Sequence, residues 1–121
     1  MDSDDRDTKV KISSAKKPGV YVGASQKVLS EHGIVRLSAL GAAMSSLVTV
    51  AEILKTKDLA VEKKVMISLE EFENDDESGT TRRKPKLEVV LERSDNFEEA
   101  VKKDEAERAE RRRIRQAAAA E

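Results

Sequence analysis

Residues 37–55 read LSALGAAMSSLVTVAEILK, and this stretch decides the fold expected for the 121-residue chain. Its apolar residues recur at spacings of three and four, which predicts one face of a helix. That face comprises Leu40, Ala43, Met44, Leu47, Val50, Ala51 and Leu54. Between its two ends Glu52 is the only charged residue, so the helix is apolar nearly all round and needs cover on more than one side. Its own chain or a second subunit can provide that cover, and the sequence leaves both open.

On both sides of this helix, apolar and polar residues alternate, which predicts strands. Val10 and Ile12 mark a first strand, and residues 34–39 form a second. Two further strands follow the helix, one with Val61, Val65, Ile67 and Leu69 on one face and one with Leu87, Val89 and Leu91. Between them, residues 73–84 (ENDDESGTTRRK) have turn composition and predict the charged tip of an antiparallel hairpin.

A second helix is predicted between the first two strands. Pro18 can open it, because proline fits the first position of a helix, and Gly33 can close it. Its buried face is expected to contain Val20 or Tyr21, Ala24 and Val28. The resulting order of elements, β-α-β-α-β-β, predicts a two-layer α/β fold.

The chain is expected to divide into three parts. Residues 1–8 form an acidic tail with nothing to bury, which predicts disorder. Residues 9–94 form the folded domain. Residues 95–121 form a charged helical extension with almost no apolar stripe, whose first turns are expected to dock through Phe97 and Val101.

The composition excludes several classes of protein. Charged residues make up 39% of the chain and hydrophobic residues 38%. The absence of cysteine excludes disulfides, thiolate zinc sites and a cysteine nucleophile. No apolar run approaches the roughly 20 residues that a membrane-spanning helix needs. We therefore expect a soluble protein with no membrane partner and a cytoplasmic and/or nuclear location.

The charge is unevenly distributed, although the net charge is only −1. Residues 1–8 carry −3 and residues 9–36 carry +5, with six cations against Glu31 alone. Residues 70–79 carry −6, whereas residues 80–88 carry +3. Local fields matter more to a polyanionic ligand than the total, so the near-neutral sum does not exclude nucleic acid.

Catalytic and metal-binding patterns are lacking. His32 is the only histidine and stands at a predicted helix end. The acidic residues between 70 and 77 lack the spacing of an EF-hand loop, so a solvated acidic turn is the simpler interpretation. Neither a phosphate-binding GxxxxGK motif nor a GxGxxG motif is present. We expect no enzymatic activity, cofactor, metal or small-molecule substrate.

Two basic clusters are the candidate binding residues. Lys16 and Lys17 stand in the turn before the first helix, and Arg82, Arg83 and Lys84 stand on the predicted hairpin. Either cluster alone is most simply a solvated face, but two mobile basic loops together favour contact with phosphates. Backbone amides at the helix start would add anion-binding donors, and Tyr21 could stack on a base or pack into the core.

Four stretches in order resemble the Alba superfamily, specifically its small eukaryotic branch. They are KISSAKKPGVYV (11–22), LSALGAAMSSLVTVAEILK (37–55), LAVEKKVMIS (59–68) and PKLEVVLERS (85–94). The resemblance as a whole covers roughly residues 9–93. It implies an Alba-like fold with a mixed four-stranded sheet. It also implies a dimer that binds DNA or RNA with little sequence preference, through Lys16, Lys17, Tyr21, Arg82, Arg83 and Lys84. In the family, the lysines of the first loop can also be acetylated.

The resemblance leaves two functions open. Archaeal members carry arginines at the turn into the second helix, where this chain has Ser38, Leu40 and Ala42, which favours RNA or single strands over duplex DNA. The first function is a homodimer or heterodimer that grips phosphates itself. The alternative is an Alba-like scaffold subunit that heterodimerises within a ribonucleoprotein such as ribonuclease P or MRP. A nucleic-acid hydrolase is a distant third, because acid–base and metal-ligand groups are missing.

Overall fold

A computed structural model describes residues 5–74 and 78–120 of the chain. Its elements, in chain order, are helix α1 (Asp5–Thr8), strand β1 (Lys9–Ile12), helix α2 (Pro18–His32), strand β2 (Ile34–Leu40), a 3₁₀ turn (Gly41–Ala43), helix α3 (Met44–Thr56), strand β3 (Ala60–Glu73), strand β4 (Thr81–Arg93) and helix α4 (Phe97–Ala119). The predicted β-α-β-α-β-β order is confirmed, with the short helix α1 before it and helix α4 after it.

The four strands form one mixed sheet in the order β1-β2-β4-β3. Strands β1 and β2 are parallel, whereas β4 is antiparallel to both of its neighbours. Leu37 in the middle of β2 pairs with Val10 on one side and with Val89 on the other. Because side chains alternate along a strand, these three residues lie on one face of the sheet.

Helices α2 and α3 cover that face and enclose the core. On α3 the predicted period is confirmed, since Leu47, Val50, Ala51 and Leu54 are buried, as is Ala43 in the 3₁₀ turn before it. The predicted start at Leu40 is wrong, because Leu40 is the last residue of β2. Fully burying one leucine side chain contributes about 1.5–3 kcal/mol. Neither of these two helices covers the opposite face of the sheet, which carries mostly polar residues. We call it the open face.

Helix α2 has the predicted ends but a different buried face. Pro18 occupies the first position, and Gly33 closes the helix at φ 78° by donating its N–H to the Leu29 carbonyl at 2.9 Å. The predicted positions are wrong in part, because Val20 and Ala24 are exposed. The buried residues are Tyr21, Val22, Ser25 and Leu29. Ser25, at the centre of this face, is a polar residue that a count of apolar residues does not select.

Strand β3 contains a one-residue register shift between Glu62 and Lys64. Before the shift Val61 pairs with Glu92, and after it Val65 pairs with Val89. The prediction that Val61 shares a face with the later apolar residues is therefore wrong. Val65, Ile67 and Leu69 lie on the helix-covered side of the sheet but at its edge, and they are 47%, 77% and 63% exposed.

Short helices or helical turns pack against the domain near both ends of the described chain. Asp5–Thr8 form a helix, with Thr8 only 2% exposed, in place of the disordered tail predicted for residues 1–8. Residues 1–4 lie outside the described part. In helix α4, Phe97 and Ala100 are buried and Val101 is half-buried, as predicted for the docked turns, whereas every described residue after Asp104 is exposed. Within the described ranges, no helix has the length and apolarity to cross a bilayer.

Candidate nucleic-acid interface

The two predicted basic clusters leave the sheet at the same end. The parallel strands β1 and β2 finish together there, with Ile12 paired to Ala39. Strand β2 ends at Leu40, opposite Lys86 of β4. Residues 81–85 therefore project beyond β2 by about 17 Å at the usual rise of a strand. The loop that carries Lys16 and Lys17 follows Ile12, so both clusters lie at this end.

The first loop presents its lysines to solvent. Lys16 and Lys17 are exposed, and Lys17 is the extended residue that precedes α2. Pro18 has no N–H, and the Val20 N–H donates to the Lys17 carbonyl at 3.1 Å. The helix start therefore offers fewer free amides than predicted, and the side chains carry the positive charge of the loop.

Tyr21 lies in the core rather than on this surface. The residue is 7% exposed, and its hydroxyl accepts a hydrogen bond from the Ser13 N–H at 3.0 Å. This bond ties the start of the first loop to helix α2. Because the ring is buried, stacking on a base, as predicted for Tyr21, would require the side chain to leave the core. Its observed contacts are those of a residue that positions the loop.

The hairpin cations lie on strand β4 instead of on the predicted tip loop. Arg82, Arg83 and Lys84 are all exposed and belong to the regular ladder with β3. Alternation along the strand places Arg82 and Lys84 on the open face and Arg83 on the other side. The Nζ atom of Lys84 lies 5.9 Å from the centre of the Phe72 ring, at cation–π distance. The three cations thus form two groups.

A groove of about 680 Å³ joins the first loop to the hairpin. Ser13 and Ser14 from the loop line it, together with Gly41 at the end of β2. Its cations come from two strands and comprise Lys9, Lys11, Lys84 and Lys86. We call this the lysine groove. Among its described lining residues, Glu70 is the only acidic one.

No single local pattern identifies the lysine groove, although the strand period contains a signal for it. In KVKI the alternation places Lys9 and Lys11 on one face, and the register pairs Lys11 with Ser38 of β2. Ser38 in turn pairs with Glu88 of β4, which shares its face with Lys86. The four lysines meet on the open face only because β1, β2 and β4 pair in this register.

An ion pair stands inside the groove. The Lys86 Nζ atom lies 2.8 Å from the Glu70 carboxylate and 3.6 Å from that of Glu88, and the Lys86 side chain is only 16% exposed. The hydrogen bond from Lys86 lowers the pKa of Glu70, and the charges of Lys9 and Lys11 lower it further. The same bond raises the pKa of Lys86. Both groups are therefore charged at neutral pH.

The structure gives no grouping that could hold a metal among the residues it describes. No set of three or more histidine, cysteine or acidic side chains converges there. Part of the acidic run predicted as a solvated turn, residues 75–77, lies outside the described residues. His32 is the last residue of α2, and its Nε2 atom is 3.9 Å from the Glu31 carboxylate.

The fold is a four-stranded mixed sheet with helices on one face and basic groups gathered at one end. A model of the Alba family matches residues 8–71, more than half of the chain. An uncharacterized protein of Arabidopsis thaliana is 40% identical over 105 residues, which cover 84% of this chain and 80% of that protein. The chain belongs to the Alba family, whose members bind nucleic acids and typically form dimers.

Two solved structures share the fold. ALBA1 from Trypanosoma brucei superposes with a TM-score of 0.68 at 25% identity, and the match covers 94% of this chain and 96% of that one. Alba from Thermoplasma volcanium gives a TM-score of 0.61 at 23% identity, covering 70% of this chain and 99% of that one. The larger coverage of the trypanosomal protein includes residues that the archaeal match leaves out.

Proposed function

We propose that this chain is a non-enzymatic nucleic-acid-binding protein that acts as a dimer. It holds phosphates with little sequence preference, and it favours RNA or single strands over duplex DNA. The observation that carries the proposal is the lysine groove, which connects the exposed Lys16–Lys17 loop to the basic hairpin at one end of the sheet. The cations at this end of the sheet come from three separate elements, namely the first loop, β1 and β4.

Phosphates fit this surface better than base edges do. Lysine presents a compact charge on a flexible stem, which suits contact with a phosphate but carries little information about base identity. The one aromatic residue of the first loop region, Tyr21, is buried, so the surface is dominated by charge. Binding of this kind weakens steeply as salt increases.

The dimer is proposed to form through the exposed apolar side of β3. This strand is one of the two edge strands of the sheet, and on its helix-covered side Val65, Ile67 and Leu69 are all exposed. Val48 on α3 is 51% exposed as well. A second copy of the chain, the usual partner in this family, would bury these residues and cover the edge strand.

Fluorescence anisotropy with labelled single-stranded RNA, single-stranded DNA and duplex DNA, each at several salt concentrations, tests the proposed binding. We expect the tightest binding to a single strand. The Lys16→Ala/Lys17→Ala variant should flatten the dependence of log affinity on log salt by about 1.4, or about 0.7 per lost phosphate contact. Lys102→Ala/Lys103→Ala, an equal charge change on the exposed side of α4, is the matched control. Equal slopes of log affinity against log salt in the two variants would contradict the proposal.

A scaffold subunit within a ribonucleoprotein is the second candidate, and the same apolar surface of β3 favours it, since a different Alba-like chain could cover that surface. Sedimentation of the purified chain separates the two. A stable dimer supports the homodimeric binding protein. A monomer or an aggregate that binds none of the three nucleic acids supports the scaffold subunit.

A further inference from the structure

We propose that the lysine groove is a subsite for one backbone phosphate of single-stranded RNA, and that Glu70 occupies this subsite in the free protein. The inference rests on the proposed function and adds a specific place of contact to it. Lys9, Lys11 and Lys86 become binding residues, whereas Glu70 becomes their internal competitor.

The geometry of Glu70 supports this assignment. It enters the groove from β3, the strand beyond β4, and its carboxylate lies 2.8 Å from the Lys86 Nζ atom, in hydrogen-bonding contact. A carboxylate and a phosphate oxygen make the same charge-assisted contact with an ammonium group. The Glu70 side chain is 40% exposed, so it can turn out to solvent when a phosphate enters.

The groove has more positive charge than Glu70 can neutralise. Lys9 and Lys11 have no ion pair with any other residue of the described ranges, yet their charges act on Glu70. Lys84 contributes a fourth cation, held near Phe72. A phosphate can therefore replace Glu70 without leaving a lysine buried and unpaired. The serine hydroxyls at the mouth of the groove can donate to the remaining phosphate oxygens.

Two neighbouring glutamates of β3 provide a matched test. Glu70 lies on the open face, whereas Glu71 lies on the other side and accepts a hydrogen bond from the Thr81 hydroxyl at 3.2 Å. Glu70→Gln and Glu71→Gln change the net charge equally, one residue apart. We expect Glu70→Gln to tighten binding to labelled single-stranded RNA about two- to fivefold, the scale of an exposed ion pair, and Glu71→Gln to change it much less.

A lysine variant completes the test. Lys9→Gln/Lys11→Gln should weaken binding and flatten the salt dependence by about 0.7, the loss of one phosphate contact, whereas the control Lys102→Gln/Lys103→Gln should not. When Glu70→Gln is added to Lys9→Gln/Lys11→Gln, the gain in RNA affinity should be smaller than in the wild type, because Glu70 and the two lysines act on the same phosphate. Thermal unfolding of each variant confirms that it is folded.

The outcomes separate the two proposals. Equal affinities of Glu70→Gln and Glu71→Gln, with an unchanged slope in Lys9→Gln/Lys11→Gln, would overturn the subsite. If Lys16→Ala/Lys17→Ala still weakens binding in that case, the proposed function stands without it. A wild-type chain that binds no RNA at low salt would overturn the proposed function, and the subsite with it.

Discussion

The Lys57 ammonium, directly after α3, pairs with the carboxylate of Asp104 on α4, a residue that is only 3% exposed. The Nε atom of Arg108, one turn further along α4, lies 3.0 Å from the other oxygen of the Asp104 carboxylate. Together with Phe97, this buried acid holds the first turns of α4 against the domain. The remaining turns contain no buried residue in the described part of the helix.

Asp104→Asn is expected to destabilise the protein. It leaves Lys57 and Arg108 without their shared anion, and since both are partly exposed, we expect a loss of about 1–3 kcal/mol in the free energy of unfolding, below the range for fully buried pairs. Urea denaturation measures it. The control is Glu107→Gln, an exposed acid on the same helix, which should change stability by less than about 0.5 kcal/mol. Equal stabilities of the two variants would show that the pair does not anchor α4.

Gly23 within α2 and Gly33, which caps the end of α2, should respond to replacement by alanine in opposite directions. Gly33 ends the helix at φ 78°, and its added Cβ would meet nothing closer than 3.9 Å, so the backbone conformation alone makes Gly33→Ala cost about 1–2 kcal/mol. Gly23 lies within the helix with open space around an added Cβ, and Gly23→Ala should stabilise by about 0.5–1 kcal/mol. Thermal melts of both variants measure the direction of each change in stability. A melting temperature lowered by Gly23→Ala would contradict the stabilisation expected for that variant.

Ile67→Lys is expected to dissociate the proposed dimer. Ile67 is 77% exposed on the apolar side of β3, and a lysine there would place a charge in the dimer interface. Sedimentation velocity should show the wild type at twice the 13.4 kDa of one chain and the Ile67→Lys variant at the mass of one chain. Ser68→Lys, one residue along on the open face, should remain dimeric. A dimeric Ile67→Lys variant would place the interface elsewhere.

The pKa of Glu70 is expected to rise in Lys86→Gln. In the wild type the hydrogen bond from Lys86 keeps this pKa below the ordinary glutamate value, and the variant removes that bond. Carboxyl carbon shifts followed by NMR against pH measure it. The stability that the pair contributes is present above the ordinary glutamate pKa and is lost as the pH falls through the lowered pKa of Glu70. An unchanged midpoint in the variant would show that the bond does not form in solution.

Local periodicity was sufficient to predict most of the fold. The 3.6-residue period identified the buried side of α3, and Pro18 and Gly33 marked the two ends of α2. Each of these features depends on residues close in sequence, which is why a single chain reveals them. The Alba resemblance added the strand pairing that the periods leave open.

The candidate site depended on contacts that local patterns do not contain. The lysine groove assembles residues from β1 and β4, which are far apart in sequence, and strand register alone brings them together. For Tyr21 the sequence left both stacking on a base and packing into the core open, and the side chain is buried because α2 turns this face towards the sheet. The register shift between Glu62 and Lys64 could not be predicted, because no glycine or proline marks it in the sequence.

That register shift constrains how the sequence of β3 can evolve. Lys63 is the extra residue of the shift, because Glu62 pairs with Leu91 and Lys64 pairs with the next residue, Val90. Deletion of Lys63 would therefore restore a continuous ladder and keep Val65 to Glu73 on their present sides. One residue inserted after Val65 would instead exchange the two sides of the strand beyond it, because successive side chains point to opposite faces. Ile67 would then enter the cationic side, and Glu70 would join the proposed dimer surface. Descendants of this chain should therefore tolerate the loss of Lys63 but not an insertion between Val65 and the hairpin tip.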